Sequence, residues 1–343
     1  MIPTGALASA KVRLGWIAVG LLSVAIGLRY IATEPLIFEP GGWFALDGRR
    51  VLEAAQAWRG GQSPYTIDGF LYSPVAAALA VPLTYVSAPV VILGWIATCA
   101  VWAGMVVIRE LRAAPAWAGA LAVVGMLLFV PTIADLVLAN VTVALICATA
   151  VAIRGGTIKS GFVLGVMAAA FPKPMMVPLV IWLIVWRPRA AAGAAFGAVL
   201  AVVVSLVSGG MNWWGEFVRL LASGGGVEPD FVGNYGISHF APEWWPIAAG
   251  IAAVVFLWCL LRRGEDGSLA AAAATGVFIA PYAGIYAALP MLLALPSIAA
   301  GHAFIGLVVA ALGIVTAPWS PIVAILVLAI GAGGGNDRRD PPT

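Results

Sequence analysis

Residues 90–108 read VVILGWIATCAVWAGMVVI, an apolar run without a single charged side chain. A helix of about 20 such residues spans the hydrocarbon core of a bilayer. Similar runs flank it on both sides, at about residues 14–32, 72–88, 115–132, 134–153, 161–186, 190–208, 244–261, 268–299, 303–317 and 320–333. The sequence therefore predicts an all-α polytopic membrane protein with about 12 transmembrane helices.

The composition supports this prediction. Of the 343 residues, 62% are apolar or aromatic and 10% are charged, whereas about 25% are charged in an ordinary soluble domain. Such a surface is matched to membrane lipids, which we expect as partners. The net charge of +3 is spread along the chain and indicates no nucleic-acid partner. Cys99, Cys147 and Cys259 lie far apart inside apolar runs, so we predict buried core residues rather than disulfides or metal ligands.

The basic residues indicate the orientation in the membrane. Lys11 and Arg13 precede the apolar run Leu14–Ala32, which we interpret as an uncleaved first helix because no convincing cleavage site follows. Most connectors between later runs are basic and carry Arg109 and Arg112, Arg154 and Lys159, Arg187 and Arg189, or Arg262 and Arg263. The positive-inside rule places these connectors and both termini in the cytoplasm. Residues 1–333 then form one transmembrane domain, and residues 334–343 form a polar cytoplasmic tail.

This orientation constrains two of the apolar runs. With the connector at Arg109 in the cytoplasm, the stretch 72–88 cannot be a simple crossing and must be re-entrant or interfacial. The run 161–186 then consists of two half-helices broken at Phe171-Pro172-Lys173-Pro174, which puts Lys173 at the outer mouth of the bundle. A rival threading makes both runs plain crossings and leaves four basic residues outside. We prefer the first threading because it follows the positive-inside rule.

Two long segments remain on the outer side, at about residues 33–71 and 210–243, and they hold most of the other polar residues. In the first segment, apolar residues recur at helical spacing after Asp47, at Val51, Leu52, Ala55 and Trp58. This pattern predicts a short amphipathic juxtamembrane helix, with Leu52, Ala55 and Trp58 in the membrane interface. The Gly60-Gly61 pair ends this helix, and Ser63-Pro64 imposes an extended or turn conformation.

The order of these features resembles a known family. An acidic residue soon after the first helix, a helix ending in Gly and Pro-Tyr, and an aromatic-Tyr-x-Pro sequence are similar to polyprenyl-phosphate-dependent glycosyltransferases of the GT-C fold, above all glycosyltransferase family 87. Downstream, Ala139-Asn140-Val141-Thr142 stands where that family often has Gly-Gln-x-Asn, and Gly161, Gly165 and Lys173 fit its Gly-x-x-x-Gly-to-Lys helix. Gly233-Asn234 resembles its Gly-Asn turn, and the motif Pro281–Tyr286 stands where the family has Trp-x-His. The resemblance spans about residues 44–240.

The resemblance implies a GT-C type bundle in the cytoplasmic membrane of a bacterium, with its site on the periplasmic or extracellular face. The implied reaction moves a hexose, mannose above all, from a polyprenyl-phosphate sugar to a hydroxyl of a glycolipid or an envelope glycan. It inverts the anomeric carbon in one displacement.

This chemistry assigns roles to particular residues. The attacking hydroxyl must lose its proton, and Asp47 is the natural carboxylate to accept it. The leaving phosphate needs positive charge, for which Lys173, Arg49 and Arg50 are the candidates. We expect no cofactor and no metal, because no carboxylates or histidines are spaced to hold one.

Other polar residues of the outer segments and helix ends are candidates for binding the substrates: Tyr65, Tyr72, Asn140, Asn234, His239 and Tyr282. Asp135 and Asn140 flank the outer start of one helix, where they either bind sugar hydroxyls or serve as helix caps and hydrogen-bond partners. The sequence leaves both interpretations open. Asp47 has the alternative of a simple helix cap, and the arginines have that of contacts to lipid headgroups.

A transporter or a flippase for lipid-linked sugars is the alternative function. The break around Lys173 fits a transporter, in which interrupted helices line a binding site at the middle of the membrane. The sequence shows neither an internal repeat nor a second comparable break, and most transporters of this type have such a duplication. We therefore favour the enzyme.

Overall fold

The computed structural model describes residues 44–110, 116–223, 236–281, 285–294 and 320–333, together with several helical residues between 24 and 31. These residues form helices and no β-strand, as predicted. The α-helices are α1 (Leu46–Arg59), α2 (Pro74–Ala80), α3 (Ala88–Glu110), α4 (Ala116–Leu127), α5 (Val130–Val137), α6 (Thr142–Gly155), α7 (Ile158–Ala170), α8 (Val177–Trp186), α9 (Pro188–Gly209), α10 (Met211–Ala222), α11 (Ile237–Phe240), α12 (Trp245–Arg262), α13 (Glu265–Ile279) and α14 (Ser320–Gly333). Short 3-10 helices cover Pro64–Thr66, Val81–Tyr85, Pro174–Met176 and Ile285–Leu293.

Several helices have the length and composition of membrane spans. In the described ranges, α3, α9 and α12 are long and apolar enough to cross a membrane. Helices α4 and α5 qualify together as one span bent by 57°, whereas α6, α7 and α8 are apolar but only 10–17 residues long. The described residues thus supply three or four spans, fewer than the predicted number of about 12. The run 303–317 lies outside them. The three cysteines are free and buried, as predicted.

The run 161–186 is interrupted where the sequence predicts a break. Helix α7 ends at Ala170, Lys173 has an extended backbone, and a 3-10 turn leads into α8. Arg187, which follows α8, donates a hydrogen bond of 2.8 Å from Nε to the Ile153 carbonyl at the end of α6. Because α7 begins directly after α6, the two halves form a hairpin with Lys173 at its tip.

Glycines let α7 pack closely against α9. A Cβ atom at Gly161 would lie 1.8 Å from the Ala190 carbonyl oxygen, and Gly165 makes an equally close approach one turn later. On α9, a Cβ atom at Gly193 would lie 2.1 Å from the Ile158 carbonyl oxygen. No larger side chain fits at these contacts, so the Gly-x-x-x-Gly spacing lets the two helices approach closely.

Basic connectors meet at one end of the bundle, which we call the connector end. It is formed by the junctions α6–α7, α8–α9 and α12–α13. The Arg187 guanidinium forms an ion pair with Glu265 through two hydrogen bonds, one of them 3.2 Å from Nη1 to Oε2. Trp182 of α8 donates a hydrogen bond of 3.0 Å from Nε1 to Ser268 of α13. The cytoplasmic location of this end stays a prediction.

Helix α1 is present as predicted, with Gly60 and Gly61 after its last turn. Its apolar face does not lie in the membrane interface, because Leu52, Ala55 and Trp58 are buried within the protein. That part of the prediction was wrong. Helical periodicity defines an apolar face, but it does not show whether lipid or protein covers that face.

The two segments predicted to be outer loops pack against each other. The rings of Trp58 in α1 and Trp213 in α10 meet edge to face, with centroids 4.3 Å apart. Tyr65 stacks on Phe217 of α10. Parts of both segments therefore form one layer over the same end of the bundle, opposite the connector end.

The stretch 72–88 contains α2 and the 3-10 helix that follows it. Together, Pro74–Tyr85 are shorter than a membrane span. Thr84, near the end of this stretch, accepts a hydrogen bond of 3.0 Å at Oγ1 from Arg59 of α1. The length agrees with the interpretation that the stretch does not cross, which stays a prediction.

Candidate active site

Polar side chains from separate segments meet at the end of the bundle opposite the connector end. They come from α1, the loop before α2, the α5–α6 region, the tip of the α7–α8 hairpin and the 3-10 helix Ile285–Leu293. We call them the polar cluster, which consists of Asp47, Arg50, Tyr72, Asp135, Asn140, Lys173 and Tyr286. The sequence assigns five of these seven to the site, leaves Asp135 open between sugar binding and helix capping, and does not assign Tyr286.

The beginning of α1 is fixed to the end of α5. The first N–H groups of a helix have no partner within the helix. In α1 they donate to carbonyl oxygens: Ala45 to Val137 at 2.6 Å, and Asp47 and Gly48 to Leu138 at 3.1 and 3.3 Å. The main chain before and after Asp47 is therefore held in place.

Two alanines with left-handed backbone conformation flank this junction. Ala45 has φ of 57° and Ala139 has φ of 49°, and they are the non-glycine residues of the described chain with positive φ. Gly48 allows the close approach, since a Cβ atom there would lie 2.8 Å from the Ala139 Cβ. Residues strained in this way cluster at functional sites. Here they immediately precede the segments that carry Asp47 and Asn140.

Asp47 is held by Asn140. The Asn140 side chain donates a hydrogen bond of 2.7 Å from Nδ2 to Oδ2 of Asp47. Its own Oδ1 accepts the N–H of Val141 at 2.6 Å, which fixes the direction of the amide. The second carboxylate oxygen of Asp47, Oδ1, accepts no hydrogen bond from the described residues. That oxygen is available to a substrate.

Burial and charge act on Asp47 in opposite directions. Burial raises the pKa of Asp47 above the ordinary value, and the positive charges of Lys173 and Arg50 oppose this rise. The hydrogen bond from Asn140 also opposes it. Since the rise prevails, the ionised Asp47 is a stronger proton acceptor than an exposed aspartate.

Lys173 is the cation at the tip of the α7–α8 hairpin. Its ammonium nitrogen lies over the Tyr286 ring, 4.4 Å from the centroid. Asp135 and Asp47 are the carboxylates whose charges act on it. With the residues that the structure describes, this ammonium forms neither an ion pair nor a hydrogen bond. Its charge is thus balanced at a distance and can bind an anion.

Asp135 caps α6 from the preceding helix. Its buried carboxylate accepts the N–H groups of Thr142 at 3.2 Å and Val143 at 2.8 Å. Its carbonyl oxygen accepts the N–H of Asn140 at 2.8 Å. Of the two interpretations that the sequence left open for Asp135, the structure shows the cap.

The two arginines after Asp47 differ in position. Arg50 acts on Asp47 by its charge, whereas Arg49 is not among the charges that do so. The Arg50 guanidinium lies directly against Gly69, where a Cβ atom would come within 2.3 Å of Cζ. Phosphate contacts through Arg50 and Arg49 both stay predictions.

Tyr65 and Tyr72 are linked by a hydrogen bond, and the Tyr72 ring packs on a further aromatic ring. The Tyr72 ring meets that of Phe171 edge to face, 5.1 Å away, and burial raises the pKa of Tyr72. Its hydroxyl therefore remains a hydrogen-bond donor. The Tyr65 hydroxyl donates to the Tyr72 carbonyl at 2.9 Å, so Tyr65 supports the main chain at Tyr72. Direct substrate contacts of both residues stay predictions.

The other predicted site residues lie elsewhere or outside the described chain. The His239 ring packs against Phe240 in α11, with centroids 5.0 Å apart, and its contact with substrate stays a prediction. Asn234 and Tyr282 lie outside the described residues. Sequence reasoning missed Tyr286 as the ring beside Lys173, although the motif Pro281–Tyr286 contains it. Within the described ranges, no group of three or more His, Cys, Asp or Glu side chains could hold a metal ion.

An apolar helical bundle with helices long enough to cross a membrane has the features of a membrane protein. The family model of glycosyltransferase family 87 matches residues 70–296. The chain therefore belongs to glycosyltransferase family 87, as its sequence predicts. Comparisons with curated proteins and with solved structures gave no match. The matched range includes Asn140 and Lys173 and begins after Asp47.

Proposed function

We propose that this glycosyltransferase moves a hexose, mannose above all, from a polyprenyl-phosphate sugar to a hydroxyl of a glycolipid or an envelope glycan. Asp47 acts as the general base, and Lys173 and Arg50 bind the donor phosphate. One observation carries the proposal: the half-buried Asp47 carboxylate has one oxygen fixed by Asn140 and the other without a hydrogen bond from the described residues, beside two cations.

The proposed reaction is a single displacement. The acceptor hydroxyl gives its proton to Oδ1 of Asp47 while its oxygen attacks the anomeric carbon. The bond from that carbon to the phosphate oxygen breaks, and the electron pair leaves with the phosphate. Lys173 and Arg50 stabilise the added negative charge. Because the acceptor enters opposite the leaving phosphate, the anomeric configuration inverts.

The charges of the polar cluster favour a donor with one phosphate. Two cations, Lys173 and Arg50, face two carboxylates, Asp47 and Asp135. With both carboxylates ionised, these four charges sum to zero. A polyprenyl-phosphate sugar adds one negative charge, whereas a nucleotide-diphosphate sugar adds two, and each further anion in a buried site is costly. The apolar exterior also offers a place for a prenyl chain.

We also propose which side of the membrane each end of the bundle faces. The connector end carries the basic connectors, so we place it in the cytoplasm of a bacterium. The polar cluster then faces the periplasm or the cell exterior, where envelope glycans are assembled. Further contacts to the substrates are proposed from the outer segments and the adjacent helix ends, through Arg49, Tyr65, Tyr72, Asn234, His239 and Tyr282.

The test uses the full chain in liposomes that contain a lipid extract of bacterial membranes as acceptor. Radiolabelled polyprenyl-phosphate mannose, polyprenyl-phosphate glucose and a nucleotide-diphosphate mannose are supplied in separate reactions, with protein-free liposomes as control. We expect label to enter the glycolipid fraction only from polyprenyl-phosphate donors. Digestion with anomer-specific glycosidases should show the inverted linkage. Transfer from the nucleotide sugar alone, or retention of configuration, would contradict the proposal.

A further inference from the structure

We propose that Asp135 and Tyr286 are positioning residues that hold the Lys173 ammonium in place as the binding point for the donor phosphate. This inference rests on the proposed function and adds two residues to it. Neither residue is assigned a contact with the reacting atoms.

The position of Lys173 explains why it needs such support. It lies between Pro172 and Pro174, in the non-helical tip between α7 and α8. The adjacent main chain is anchored, because the N–H of Ser73 donates to the Ala170 carbonyl at 3.3 Å. The side chain itself has four rotatable bonds, and ordering it costs entropy. Contacts along its length and at its charged end must offset that cost.

Tyr286 supplies the contact at the charged end. The face of an aromatic ring attracts a cation, and a centroid distance of up to about 6 Å is effective. The Lys173 ammonium lies 4.4 Å from the Tyr286 centroid. The 3-10 helix Ile285–Leu293 places that ring. In this role the face of the ring makes the contact, and phenylalanine keeps that face, so it should preserve the contact.

Asp135 supplies a fixed countercharge. The N–H groups of Thr142 and Val143 hold its two oxygens at the beginning of α6. These two hydrogen bonds fix the position of the carboxylate beside the beginning of α6. A buried ammonium stays protonated only when an opposite charge is near. Asp135 and Asp47 are the carboxylates that act on Lys173, and Asp47 takes up a proton in the proposed reaction. At that point Asp135 alone balances the lysine.

No other titratable side chain reaches this position from the helix on its far side. Helix α13 packs against the turn through Gly276, where a Cβ atom would lie 2.2 Å from the Met175 carbonyl oxygen. The titratable residues of α13, Glu265 and Asp266, lie in its first turn, at the connector end. Within the described chain, the countercharge therefore comes from α1 and α5.

The first experiment measures binding rather than catalysis. The probe is methyl farnesyl phosphate, a phosphodiester that carries one negative charge throughout the pH range. Its Kd for the full purified chain is measured by calorimetry from about pH 6 to about pH 10. In Asp135→Asn, we expect the Kd near pH 6 to stay within about threefold of wild type. Binding should be lost at a pH lower by about one unit, because the lysine loses one of the two carboxylates whose charges act on it.

Thr132→Val is the matched control, since Thr132 is another buried polar residue of α5. Its pH profile should follow the wild type. A folded Asp135→Asn protein with the wild-type profile overturns the role of Asp135.

The second experiment compares Tyr286→Phe with Tyr286→Leu and is informative even where Asp135→Asn does not fold. We expect the phenylalanine variant to bind the diester like wild type and the leucine variant to bind about tenfold more weakly. Equal Kd values for the two variants overturn the role of Tyr286.

The binding results are separable from the proposed function. Diester binding that depends on Asp135 and Tyr286, in a protein that transfers no sugar, supports the positioning roles and contradicts the enzyme assignment. Transfer from a polyprenyl-phosphate sugar, with unaltered diester binding in all variants, supports the enzyme assignment and contradicts the positioning roles.

Discussion

The two ends of the bundle use charged residues differently. At the connector end, Arg187 pairs directly with Glu265 and also donates hydrogen bonds of 2.8 Å to the carbonyls of Ile153 and Trp186. Its donors are occupied by the protein. In the polar cluster, the Lys173 ammonium makes no ion pair or hydrogen bond with the described residues. Charges that bind one another hold helices together, whereas charges that remain apart can bind a ligand.

Burial makes this difference more pronounced. The paired side chains are partly exposed, 26% for Arg187 and 37% for Glu265. In the polar cluster, Asp135 and Asn140 are buried. A charge in a buried site is more costly than one at a partly exposed site, and this applies to Asp135. Perturbed charges of this kind are concentrated at functional sites.

Of three substitutions that test this difference between the two ends, removal of the Lys173 charge should have the largest effect, a loss of transfer. We expect Lys173→Met to lower kcat/KM for transfer by at least about 100-fold, because one group that stabilises the developing phosphate charge is lost. The thermal unfolding midpoint should not fall, since a charge without an ion pair to the described residues is replaced by an apolar side chain. The exposed Lys159, changed to Met, is the control. A Lys173→Met enzyme within a few-fold of wild type would contradict a phosphate-binding role.

Removal of the Arg187 charge at the connector end should lower stability and leave transfer nearly unchanged. We expect Arg187→Met to lower the free energy of unfolding by about 1–2 kcal/mol, because several hydrogen bonds between helices are lost at a partly exposed site. Transfer per folded molecule should remain within about twofold of wild type. Chemical unfolding in detergent measures the first quantity. Arg189→Met, at a neighbouring exposed position, should leave stability unchanged, and an equal loss in both variants would argue against the ion pair.

A smaller effect concerns the pH dependence of transfer. The base must be ionised, so kcat/KM should fall as the pH is lowered through the raised pKa of Asp47. The hydrogen bond from Asn140 favours the ionised form. We expect Asn140→Ala to move this acidic limb to higher pH by roughly half a unit to one unit. The exposed Asn212, changed to Ala, serves as control. A limb that moves to lower pH, or not at all, would show that this hydrogen bond does not act on the base.

Much of the site follows from the sequence. Asp47 and Arg50, Asn140, and Lys173 come from three separate parts of the chain, and the resemblance to glycosyltransferase family 87 together with the basic connectors predicted that they share one site. The break at Phe171 and the close packing at Gly161 follow from local chemistry, because proline interrupts a helix and glycine permits close approach. Such local rules do not depend on the rest of the fold.

Other features depend on neighbours that the sequence does not identify. Lipid and protein interiors are both apolar, so the pattern at Trp58 could not show that α10 covers it. An aspartate near a helix start looks the same whether it binds sugar or caps a helix, and only the bonds from Thr142 and Val143 to Asp135 decide. Which ring contacts Lys173 likewise depends on the fold, and among the described residues it is that of Tyr286.

The role of Asp47 also has a consequence for stability. Burial raises its folded-state pKa, so the folded protein binds this proton more tightly than the unfolded chain. Ionisation therefore costs stability as the pH rises from about 4 through the raised pKa. For this reason we expect Asp47→Asn to be at least as stable as wild type at neutral pH.

The transfer rate of Asp47→Asn is the most direct test of the central claim. It is measured with polyprenyl-phosphate mannose at saturating donor, beside Asp266→Asn, which alters an exposed acid in the first turn of α13. We predict that Asp47→Asn keeps its fold and loses activity by about 100- to 10,000-fold, while Asp266→Asn retains the wild-type rate. Transfer by Asp47→Asn at the wild-type rate would contradict the account.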